Sequence, residues 1–95
     1  MDLMVWIVEI DWSKSSTPGL DQAPFQCHLL EQLSPYCPYF VNRSELKHNL
    51  VLNLSADRLS EAEQKADDLL KQALQACGHP WPASRRKICD ITSQR

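Results

Sequence analysis

The stretch LKHNLVLNLSA, residues 46–56, constrains this chain more than any other. Its even positions are Leu46, His48, Leu50, Leu52, Leu54 and Ala56, and its odd positions are Lys47, Asn49, Val51, Asn53 and Ser55. A period of two sustained this long predicts a β-strand with one face in a core and the other turned to water. Such a strand cannot bury its apolar face alone, so the rest of the chain has to supply neighbours and a covering layer.

Residues 3–12 supply a second long strand. Met4, Trp6, Val8, Ile10 and Trp12 are apolar without interruption, whereas the other face changes from Leu3, Val5 and Ile7 to Glu9 and Asp11. That pattern predicts one face buried throughout and the other for half its length. Residues 13–19, SKSSTPG, read as a flexible polar loop ending in a Pro-Gly turn. Asp21 can cap a first helix with Pro24 in its opening turn, and Phe25, Leu29 and Leu33 repeat at helical spacing beside Leu30. Pro35 ends it. Residues 38–42, PYFVN, form a short strand whose proline suits an edge, and Arg43-Ser44-Glu45 turns the chain into the strand at 46–56.

The second helix carries a capping box in Ser60 and Glu63 and a buried stripe of Ala62, Ala66, Leu69, Ala73 and Ala76/Cys77 widened by Leu70 and Leu74. Gly78 is placed to stop it in the left-handed conformation, and Pro80 prevents its resumption. A last strand over 86–93 sets Cys89 and Ile91 against Ile88, Asp90 and Thr92. The order β-α-β-β-α-β predicts an α+β fold, ferredoxin-like, with a four-stranded antiparallel sheet and both helices on one face. Right-handed crossovers put the first and third strands in the centre and the second and fourth at the edges. The basic run Arg85-Arg86-Lys87 then guards an edge against pairing.

At 95 residues the chain makes one domain, spanning 1–95. Ten Lys+Arg against twelve Asp+Glu leave a net charge of −2, which removes the basic footprint of a general nucleic-acid binder. Two glycines leave no room for a phosphate-cradling loop. The uncharged N-terminal stretch is too short for a signal peptide or a membrane span, so a cytoplasmic, membrane-free protein with reduced cysteines is expected.

The second half resembles a group of small uncharacterised proteins of actinobacteria and their phages. The residues that carry it are the strand at 50–57, the Ala-rich helix at 61–76, the stop at Gly78 and the strand at 89–92. The resemblance implies the ferredoxin-like fold and no catalytic activity; a phage or accessory protein that binds a host factor would fit it.

Two Cys/His pairs, Cys27-His28 and Cys77-x-His79, are brought by the topology toward one end of the domain, where thiolate and imidazole would suit zinc. No C-x-x-C accompanies them, and Cys27 and Cys77 fall on or beside the buried stripes, so buried structural thiols and no metal or cofactor are expected. His48 reads as a core or rim histidine and not a catalytic base. The outward positions Lys47, Asn49, Val51 and Asn53 lack an aromatic for stacking RNA bases. What remains is the sheet face without helices. Leu3, Val5, Ile7, Val51 and Ile88 should form an apolar patch there, joined by Tyr39 or Phe40, and such a patch marks a protein–protein site. The expected function is a non-enzymatic interaction module, binding a protein partner or itself as a homodimer. A small enzyme or metal-binding domain using the Cys/His end is the alternative.

Overall fold

A computed structural model describes residues 4–41 and 43–91. Four strands form one antiparallel sheet: β1 (Met4–Ser13), β2 (Tyr39–Phe40), β3 (Lys47–Ala56) and β4 (Arg85–Ile91). Two helices, α1 (Ala23–Gln32) and α2 (Leu59–Ala76), lie between them in sequence. The strand order is β2-β3-β1-β4, which places β1 and β3 in the centre and β2 and β4 at the edges. β1 and β3 pair along their whole length, from Met4 opposite Ala56 to Ser13 opposite Lys47. No helix among the described residues is long and apolar enough to cross a membrane.

Cross-strand partners share a face, so the register sorts the side chains. Trp6, Val8, Ile10 and Trp12 join Leu50, Leu52, Leu54 and Ala56 under both helices, together with Leu29 and Leu33 from α1 and its end and Ala62, Ala66, Leu70, Ala73 and Leu74 from α2. Each leucine so buried contributes about 1.5–3 kcal/mol. The two large indoles are accommodated because their N–H groups find internal acceptors: Trp6 donates to the Ala56 carbonyl and Trp12 to the Thr17 hydroxyl, both at 3.0 Å.

That second bond corrects the reading of residues 13–19 as a flexible loop. Ser13 caps a short 3-10 turn, Lys14–Ser16, and Thr17 and Leu20 are both enclosed in the core. Other expectations shift as well. α1 is capped at Gln22 without a side-chain bond, and Asp21 plays no part in it. Phe25 is 44 % exposed and rests edge-on against the His79 ring, so the stripe of α1 reduces to Leu29, Leu30 and Leu33. Leu46 lies outside β3 and is exposed.

The predicted capping box does not form, because α2 starts earlier, with Arg58 as its N-cap. Its third helical residue, Glu61, instead reaches past the N-cap and accepts from the Asp57 amide at 3.2 Å. The far end matches expectation: Gly78 has φ +79°, with its amide on the Gln75 carbonyl and the His79 amide on that of Leu74, a Schellman stop. Asn42, Thr92 and Ser93, assigned to strands from sequence, lie outside the described residues.

Candidate interaction face

The odd positions of β1 and β3 point away from the helices, and with Tyr39 of β2 and the even positions of β4 they make a face no helix covers. Val5 and Ile7 are half-buried there, Ile88 is 43 % exposed and Tyr39 48 %. Leu3 lies outside the described residues. Val51 departs from expectation: it is buried at 3 % exposure, and so is not an open apolar side chain. It sits between Tyr39 and Glu9, its cross-strand neighbours on either side. The Arg43 side chain must cross β3 on this same face to reach Glu9 on β1.

Arg43 Nε donates to both Glu9 oxygens at 3.1 Å, and a further guanidinium nitrogen lies 3.1 Å from Oε1. This fork explains an inversion along β1. The sequence predicts Glu9 and Asp11 as the polar half of the outer face of β1, beyond the apolar patch of Val5 and Ile7. The two acids are in fact the more enclosed, at 7 % each, and Arg43 lies against the first of them.

The centre of the face is therefore polar and enclosed. Burial raises the Glu9 carboxyl above its ordinary range, Asp11 raises it further as hydrogen-bond partner and like charge, and Arg43 pulls it back without cancelling them. Asn49, 4 % exposed, lies directly across from Asp11. Asp11 Oδ1 and Asn49 Oδ1 are both enclosed with no donor among the described residues. An unmet buried acceptor costs about 1–3 kcal/mol. Beyond Asp11 the face runs into a depression of about 180 Å³ shared with Ser13, Lys47 and Arg86.

The Cys/His end does not assemble as a metal centre. Cys27 and His28 are exposed, whereas Cys77 and His79 are half-buried. Cys27 stands two residues from Leu29, about 200° around the helix, which turns it to solvent and corrects its assignment as a buried thiol. Cys37 is exposed too. Burial pushes the Cys77 and Cys89 thiols up, away from the thiolate that a metal or a nucleophile requires. No group of three or more His, Cys, Asp or Glu that could hold a metal ion occurs among the described residues.

His48 is a core residue, as its position in β3 predicts, with its ring 5.4 Å from that of Trp12 and 5.7 Å from that of Phe40. Its Nε2 is enclosed without a partner. Burial lowers its pKa, Lys14 and His79 lower it further, and Asp21 opposes them. A cavity of about 260 Å³ opens beside His48 and Asn49, lined also by Lys14, Gln26 and Lys47.

Glu9, Asp11, Arg43 and Asn49 were not singled out from sequence. Their signal was two acids at i and i+2 inside an otherwise apolar strand, with an arginine in the turn leading to its neighbour. No family model, no curated protein and no solved structure matches this chain.

Proposed function

We propose that this chain is a non-enzymatic protein–protein interaction module that docks a protein partner on the helix-free face of a ferredoxin-like sheet. Read from its other edge, the strand order is β4-β1-β3-β2, two interlocked β-α-β units. The observation that carries the docking reading is partly exposed apolar surface on the adjacent strands β1 and β4, at Ile7 and Ile88 with Val5 beside them, on the face without helices. The four free cysteines suit a reducing, cytoplasmic setting.

Ile7→Lys tests this reading. Ile7 is half-buried between Asn53 and Asp90, so a lysine there can lift its ammonium toward water and toward Asp90, and folding should be retained. In a capture experiment with the native host's lysate, the wild type should hold a defined protein that the folded variant releases. Unfolding of Ile7→Lys would place the residue in the core and end the docking reading, as would capture unchanged by the substitution.

A further inference from the structure

β4 is an edge strand with a self-complementary outer pattern. One side of it pairs with β1 from Trp6 to Trp12, and among the described residues no strand pairs with its other side. Along the helix-free face it carries Arg86, Ile88 and Asp90 in succession, so that charge changes sign about Ile88, which is also the midpoint of Arg85–Ile91. The three cations at its start are not equivalent. Arg85 and Lys87 turn under the sheet to Asp67 of α2, at 3.2 and 2.9 Å. Arg86 has no ion pair among the described residues and stays exposed on the other face. The edge protection expected from three cations thus rests on Arg86 alone.

We infer that this edge is a dimer interface, in which β4 pairs antiparallel with β4 of a second copy about a two-fold axis at Ile88. The register follows from faces and charges. A shift by one residue would continue the helix-free face of one copy into the helix-covered face of the other, so only even shifts are open. The centred register sets Ile88 against Ile88 and Arg86 against Asp90 twice, and it overlaps all seven residues of the strand. It also lays Ile91, 45 % exposed, beside the aliphatic stem of Arg85 of the second copy. Sliding two residues one way opposes Lys87 to Lys87 and Arg86 to Ile88. Sliding two the other way opposes Ile88 to Asp90 and leaves Arg86 without a carboxylate. Opposite charges directly across a strand pair are favourable and like charges are not, so the centred register is selected. The contact is isologous and closes on itself. It uses an edge and not the docking face, so it stands whether or not that face binds a partner.

Charge reversal tests it through symmetry. Sedimentation of the wild type at concentrations up to about 100 µM should show a monomer–dimer equilibrium. Arg86→Asp sets carboxylate against carboxylate at both ends, and Asp90→Arg sets guanidinium against guanidinium; each should weaken the dimer at least about tenfold. The double variant Arg86→Asp/Asp90→Arg inverts the pattern but keeps it complementary, and should return to within about threefold of the wild type. Ile7→Lys should leave the dimer intact. As a second reading independent of charge, Ile88→Cys in a Cys27→Ser/Cys37→Ser background should form an intermolecular disulfide under mild oxidation, whereas Cys89 in that background alone should not. A wild type monomeric throughout, a dimer indifferent to both single reversals, or cross-linking through Cys89 in place of Ile88→Cys would overturn the inference. Loss of the dimer in Ile7→Lys with the reversals silent would overturn it too, while leaving the docking reading in place.

Discussion

The residue that most alters the character of the sheet is Arg43, because it lies outside every strand yet decides what the outer face of β1 contains. Glu9 sits beside Asp11 with its carboxyl raised, so the folded chain holds a proton there that the unfolded chain releases near the ordinary value of 4.5. For a group raised in this way the associated stability is present below the unfolded value and is lost as pH rises through the folded one. Arg43 limits that loss by pulling the folded value down. Arg43→Ala should therefore cost about 1–3 kcal/mol at pH 7, reduced from a fully buried pair because the arginine is largely exposed. The deficit should shrink toward pH 4, where Glu9 is protonated in both states; urea denaturation at the two pH values measures it. Equal deficits at both would show that packing, and not charge, is what Arg43 provides. None of this was legible from β1 alone. Acids on a strand's outer face read as solvated, and only the arrival of a side chain from a distant turn reverses that.

Among the elements, α2 was the most legible, since its stripe and its stop are local features. Gly78 takes φ +79°, and a Cβ built there would meet nothing within 4 Å. The cost of Gly78→Ala is then backbone strain without a clash, about 1–2 kcal/mol. Thermal unfolding should register it as a fall of roughly 4–16 °C. A fall larger than this would mean that the loop from His79 to Ser84, and the Arg85 stacking over Trp81 at 4.1 Å that follows it, moves with the cap. The start of α2 was misplaced because Ser60 and Glu63 match the box pattern, whereas the actual N-cap, Arg58, makes no side-chain cap bond that a pattern could flag. Helix α1 was harder for another reason. With one fully buried residue, Leu29, its position is set by the sheet and not by its own periodicity.

At the scale of the molecule, the element order was readable because two long strands of clear alternation leave few ways to cover them. The fate of the thiols was not. Cys27 and Cys37 are exposed, and Cys77 and Cys89 are half-buried on separate elements, so fold stability should not depend on a metal. Treating the purified protein with a chelator should leave its thermal midpoint within about 1 °C, since a bound ion would stabilise the folded state by its affinity. A lower midpoint with stoichiometric zinc would restore the Cys/His end as a site.

The two residues of β2 bear on what a sheet of this kind can build. A strand edge is a template, and a chain with two good templates can add copies without limit. Here the sides differ. β4 offers seven residues, whereas the opposite side offers only Tyr39 and Phe40, preceded by Pro38. Past them, β3 from Leu52 to Ala56 has no strand partner on that side among the described residues, but the turn Ser34–Tyr36 packs against β3 and the Ser55 carbonyl is taken by Lys65 Nζ at 2.7 Å. The one long uninterrupted edge among the described residues is β4, so its best complement is another β4. A β4–β4 pair would then carry only interrupted edges on its two outer sides, and that interruption is what keeps a sticky edge from becoming the first step of a fibre.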